Sequence, residues 1–420
     1  MTIQTRSAAP AARGAAVALV ATCAAIYLVS QFLRNSVGVI APDLATEIGL
    51  SAGQVGLLSS AFFLAFAAAQ IPLGVALDRY GPKRCMLVCA VIAVAGAVAF
   101  ALATTPNALV GARVLMGLGS SCYLMAPLAL YARRFPPQRF AALAGIQIGI
   151  GTVGTLLVTA PLAFASATIG WRATFMAVAG VVVLCGLLVA AVIREQPGDF
   201  ARPAQRETLR ESLAGIGAVA RVPSFVPVFL MNIVCYSSYV LIVGLWGGPY
   251  LAHIYGYGLT QRGDLLLIPA VTQIVGVVLW GYAERLVGAY KPLVIAGGLG
   301  TALALGVLAW VGRLDPTALA ILLGLFGFSA SYIPVLIAHG RALLPGPLVG
   351  RGITLFNTGT IGGVFVSQFV TGLLIDLFPA QGGAYPLDAY RLVFAFQAAA
   401  LLVACAAYGW AREPSRAGGT

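Results

Sequence analysis

Two arginines stand inside runs that otherwise carry no charge. Arg34 closes an apolar run that opens near residue 14, and Arg113 lies in a second run over 108–131. A charge in hydrocarbon is costly and marks a functional position by default. An arginine cannot escape that cost by losing its proton, and its planar fork matches a carboxylate or a phosphate. Tyr27, Gln31, Arg34 and Gly38 follow i, i+4, i+7 and i+11, so on a helix they share one face. A phenol, an amide and a guanidinium on one face, with apolar residues around the rest, describe a wall of a polar cavity able to hold an anion. The competing reading has Arg34 snorkelling to the nearby membrane surface. Arg113 opens Arg113-Val114-Leu115-Met116-Gly117-Leu118-Gly119. It either faces a polar interior or caps the carbonyls of an adjacent helix.

Later runs add polar groups without charge. Gln147 lies among Gly145, Gly149, Gly151 and Gly154. Asn232, Tyr236, Tyr239, Val243 and Trp246 fall on one helical face. Ser329, Ser331 and Tyr332 precede Pro334, while Asn357, Thr360 and Gln368 share another run. Each either lines a cavity or hydrogen-bonds a neighbouring helix, since buried polar groups need partners. Asp376, the one deep acid of the second half, is expected to pair with Arg172 or Arg391 at the surface. His253 and His339 fall near run ends and are expected at the interface.

Chemistry of other kinds lacks its residues. No His/Cys/Asp cluster, nucleotide-binding loop or serine nucleophile motif occurs, and the glycine-rich stretches lie inside apolar runs. The chain is not expected to be an enzyme or to hold a metal or cofactor. Its seven cysteines, at 23, 85, 89, 122, 185, 235 and 405, lie in or beside apolar runs. They are read as small packing residues.

The elements that position these groups are membrane helices. The 420 residues are 60% hydrophobic and 9% charged, against about 25% charged in soluble domains. Twelve runs are long enough to cross a ~30 Å hydrocarbon core: 14–37, 53–77, 85–103, 108–131, 140–165, 173–193, 224–247, 265–283, 292–311, 317–338, 352–377 and 389–411. Alternate connections then fall on opposite sides. The side holding both termini has 19 Lys/Arg and 7 acids, and the other has 6 Arg and 6 acids, so the whole +12 lies on one face. The positive-inside rule makes that face cytoplasmic. The basic surface thus reflects topology and membrane lipid, not nucleic acid. The first run is too long for a signal-peptide core, so it is read as the first span. A multi-pass monomer in a bacterial inner membrane is expected.

The runs form two copies of one unit. Arg172 opens span six and Glu195 follows its end; Arg391 and Glu413 stand 219 and 218 residues later in span twelve. Arg139 and Arg351 likewise open spans five and eleven. This divides the chain into bundles over 1–193 and 224–420. The segment 194–223 between them is polar, and Leu209, Leu213 and Ile216 give it an amphipathic helix face.

The hinge after span two carries a signature. Gly74-Val75-Ala76-Leu77-Asp78-Arg79-Tyr80-Gly81-Pro82-Lys83-Arg84 joins spans two and three, and a decayed copy, Gly281 to Lys291, joins spans eight and nine. This repeated acid-Arg-Gly-basic hinge resembles the loop signature of the major facilitator superfamily. The resemblance implies twelve helices in two six-helix repeats around a central cavity. It implies a site near the midplane and one half rocking on the other. It also implies that Gly74, Asp78, Arg79, Gly81 and Arg84 latch the cytoplasmic side in the outward-open state. Asp78 is suited to this, because a neighbouring helix N-terminus favours an anion.

Within the superfamily the first half is most similar to the anion:cation symporters. The matching pieces are Arg34-Asn35-Ser36-Val37-Gly38, Leu57-Leu58-Ser59-Ser60-Ala61-Phe62, Gln70-Ile71-Pro72-Leu73-Gly74, Arg113 with Gly117, Pro127, Pro136-Pro137-Gln138-Arg139, and Gly170-Trp171. They cover roughly 30–175. This likeness implies a secondary carrier for a small organic anion, a carboxylate or sugar acid, with H+ as the candidate coupling ion. Substrate would be held by Tyr27, Gln31, Arg34, Arg113, Gln147, Asn232, Tyr236, Tyr239 and Asn357. Those symporters often carry acids beside the first arginine and seven residues after the second. Here those positions hold Leu33 and Ser120, so that proton route lacks its usual carboxylates. Drug or metabolite efflux is the alternative, for which no deep acid is present to attract a cation.

Overall fold

A computed structural model describes residues 10–195, 217–345 and 348–413. The amphipathic segment around Leu209, Leu213 and Ile216 lies outside them. Among the described residues every long element is helical, and twelve helical stretches are long and apolar enough to cross a membrane. Spans one to four are Pro10–Asn35, Ala52–Tyr80, Pro82–Leu102 and Pro106–Arg134. Span five begins at Pro137 and span six ends at Val192. The turn between them is Gly170, whose φ of 80° only glycine adopts easily. The second half has Phe225–Tyr255, Leu259–Val287, Lys291–Val311, Pro316–Leu343, Val349–Asp376 and Leu387–Tyr408 as spans seven to twelve.

Glycine and proline punctuate the helices where their backbone chemistry suits. Gly81 stands at φ 81° between spans two and three, with Pro82 at the first position of the new helix. Span two starts with Ser51 and Gln54 bonded reciprocally, a capping box. Span one stops at Asn35, so Gly38 lies in the following turn and not on the helical face of Tyr27, Gln31 and Arg34. Gly38 packs against the backbone of Val243 and Gly244, an approach no side chain would permit. Span seven has a wide π turn over Ile242–Trp246 at this level. A short helix the sequence reading did not anticipate, Ala41–Ile48, joins spans one and two on the face away from the termini, the far face.

The repeat is visible in matched ion contacts. Glu195, after span six, pairs with Arg84 at the start of span three. Glu413, after span twelve, accepts from the backbone N–H groups of Tyr290 and Lys291 at the start of span nine. The two six-helix halves meet at their far-face ends. Arg262 of span eight pairs with Asp43 at 2.9 Å, and Gly263 packs on Thr159, Ala160 and Ala163. Gly56 of span two fits against the backbone of Gln368 and Gly372 in span eleven. The structure is therefore closed on the far face.

Candidate functional site

Arg34 comes to the middle of the bundle because of helix geometry. Helical side chains lean toward their own N-terminus, and for span one that direction runs away from the far face. The guanidinium carbon lies 4.7 Å from the ring centre of Phe66. Phe66 is fourteen residues into span two, about 21 Å from its start at ~1.5 Å per residue. Snorkelling to the far interface is thus not the observed pose. Arg34 is 7% exposed and its Nε has no partner. The Tyr27 hydroxyl lies within electrostatic reach of both Arg34 and Tyr236. Tyr27 belongs to span one and Tyr236 to span seven, so this cluster straddles the two halves.

The neighbouring groups are polar and partly unengaged. Gln31 packs on Gly154 of span five and its Oε1 is unpartnered. Tyr239 stacks on Phe326 and leaves its hydroxyl without a partner. Gln368 is fully buried with both amide atoms unpartnered. Gln31, Tyr236 and Asn357 each retain partial exposure.

Three candidates are otherwise occupied. Arg113 donates to the carbonyls of Leu33 at 2.5 Å, Arg34 at 3.1 Å and Leu58 at 3.4 Å, and lies over Phe62. Leu33 and Arg34 close span one, where the last carbonyls have no intrahelical donor and the helix dipole is negative. Arg113 therefore caps span one and fixes the backbone of Arg34. Gly117 makes this possible, since a Cβ there would overlap the Phe62 carbonyl. Gln147 donates to the carbonyls of Cys23 and Tyr123 and accepts from Tyr131. Asn232 donates to the Phe356 carbonyl and to Thr360. These two side chains tie helices together.

The charged hinge residues make their contacts within their own half. Asp78 pairs with Arg133 of its own half at 2.9 Å, Gly74 faces open space, and Arg79 lies on Tyr80. Asp376 does not pair with Arg172 or Arg391 as expected. Arg172 takes Glu47 and Arg391 takes Asp388, while Asp376 reaches the first turn of span two. His253 and His339 are bonded to Tyr390 and Tyr408. The rings under the arginines, Phe62 and Phe66, were not anticipated. Phe62 stands 51 residues from Arg113 and Phe66 stands 32 from Arg34, so no local pattern joins them.

The major facilitator superfamily model matches residues 22–260 and 228–420. The chain belongs to this superfamily. It is 26% identical over 377 residues to the probable sulfoacetate transporter SauU of Cupriavidus necator, covering 86% of this chain and 87% of that one. It is also 26% identical over 379 residues to the chloramphenicol resistance protein of Streptomyces lividans, covering 84% and 94%. Among solved structures it superposes on a bacterial homologue of the human lysosomal transporter Spinster with a TM-score of 0.79 at 18% identity, over 96% of this chain and 97% of that one. Relatives and fold alike are those of secondary transporters. This superfamily member is a membrane transporter and not an enzyme.

Proposed function

We propose that this protein carries small organic anions across a cell inner membrane by alternating access, with both termini in the cytoplasm. The observation that carries the reading is Arg34: buried, central, without an acidic partner among the described residues, and within reach of the Tyr27 phenol, which itself lies within reach of Tyr236 in the other half. A buried guanidinium left uncompensated is expensive, and a bound carboxylate, sulfonate or phosphate would offset that cost. Tyr27, Gln31, Tyr236, Tyr239 and Asn357 supply hydrogen bonds around it. Arg113, Gln147 and Asn232 hold the helices that present them. The relative named as a probable sulfoacetate carrier fits this chemistry. With Leu33 and Ser120 where acids often stand, the anion either brings its own proton or exchanges for another anion.

The test is thermal stability of the purified protein against a panel of carboxylates, sulfonates and phosphates, beside Arg34→Ala. A ligand at ~100 times its dissociation constant stabilises by about 2.7 kcal/mol. An anion that shifts the wild type and not the variant supports the reading. The second reading, efflux of a neutral or amphipathic compound, is favoured by the likeness to a drug-resistance protein and by the three cavity tyrosines. Stabilisation by such compounds alone would select it.

A further inference from the structure

The far-face closure has a defined chemical centre. Span two begins at Ala52, and its first N–H groups have no partner within their own helix. Gln54 N–H is served locally by Ser51 Oγ. The other two are served by the second half. Gly53 N–H donates to Asp376 Oδ2 at 2.8 Å, and Ala52 N–H donates to the Tyr385 hydroxyl at 2.9 Å. Ser51 Oγ also donates to Asp376 Oδ2 at 3.0 Å, and Tyr385 donates to Asp376 Oδ1 at 3.0 Å. Burial pushes the Tyr385 phenol up, and the Asp376 carboxylate adds to that shift, so the phenol keeps its proton to donate.

Asp376 is the last residue of span eleven. An acid there opposes its own helix's dipole and gains from the N-terminus of another. Its placement thus serves the contact between halves and not span eleven. Gly53 is matched to it, since a Cβ at 53 would overlap Asp376 Oδ2. Spans two and eleven run antiparallel, and span two carries its own acid, Asp78, near its opposite end. The two ends differ in state: the Asp376 end is joined across the halves, and Asp78 is paired within its own half.

We propose that Asp376 is a positioning residue of the transport cycle: its carboxylate clasps the first turn of span two and holds the far face shut, as the counterpart of Asp78 at the other end of the same helix pair. The clasp rests on the alternating-access part of the proposed function and not on the anion. Opening the far face breaks the Asp376 contacts and hands both partners to water, so the clasp biases the equilibrium without locking it. Charge-assisted hydrogen bonds are roughly twice as strong as neutral ones, so loss of the charge shifts the population toward far-face opening by about tenfold.

The experiment places spin-label pairs on the full-length protein in lipid nanodiscs without substrate. One pair, at Thr46 and Thr317, spans the halves on the far face; the other, at Arg139 and Leu286, spans them on the terminus face. All four sites are exposed, and the native cysteines are buried. Asp376→Asn and Gly53→Ala, made in different halves, are each expected to lengthen the first distance and shorten the second. Ser51→Ala gives the same change in smaller degree. Distributions unchanged in both main variants would overturn the proposal. So would lengthening or broadening of both pairs, the mark of a merely structural role. Because no substrate is present, these outcomes are independent of whether Arg34 holds an anion.

Discussion

Arg34 and Arg113 are the same residue type, both buried, each over a phenylalanine ring at 4.7 Å. They differ in what their nitrogens meet. Arg113 is consumed by three backbone carbonyls of spans one and two. Arg34 meets an aromatic face and leaves its buried Nε unpartnered. An intramembrane charge is therefore not by itself a site. A satisfied arginine is part of the scaffold, and the unsatisfied one, whose carbonyl the first holds, is the one proposed to take a ligand.

The largest effect should come from the scaffold arginine. Arg113→Ala strands buried carbonyls and opens a cavity, a loss on the order of 4 kcal/mol, read as a large fall in melting temperature of the ligand-free protein. Arg113→Lys should rescue little, because an ammonium lacks the fork that reaches three acceptors. Next, Arg34→Ala should leave ligand-free stability within about 1 kcal/mol of wild type and abolish the anion-dependent shift of about 2.7 kcal/mol. If Arg34→Ala instead unfolds the protein as Arg113→Ala does, the contrast between the two is broken.

Smaller changes sharpen the contrast. Tyr27→Phe and Tyr236→Phe should each weaken anion binding by about fivefold, from loss of ~1 kcal/mol per hydrogen bond, with melting of the ligand-free protein unchanged. Calorimetric titration with the anion found in the panel would measure it. The smallest effect is expected from Phe66→Leu, about threefold in the same titration, since the ring orients the guanidinium through a cation–π contact of ~0.5–1 kcal/mol.

Much of the architecture was legible in the chain. Hydropathy and length are local properties, so the twelve spans, the paired halves and the breaks at Gly81 and Gly170 could be read from composition and punctuation alone. The 3.6-residue period also put Tyr27, Gln31 and Arg34 on one face. The same period misplaced Gly38, because it runs on regardless of where a helix stops, and span one ends at Asn35. The capping box of Ser51 and Gln54 was legible in principle, as a short local pattern, yet what completes that helix start is not local.

What the tertiary structure decided is the identity of partners. Asp376 stands 323 residues from Gly53 and Arg113 stands 80 from Leu33, and no local pattern encodes such pairings. The sequence by itself determined that charges lay in the membrane and that two repeats surrounded them. Only the packed bundle decided which charge was satisfied, since satisfaction depends on carbonyls and helix ends brought within about 3 Å from distant segments. That is why two equal arginines in the sequence became a cap and a candidate binding residue in the structure.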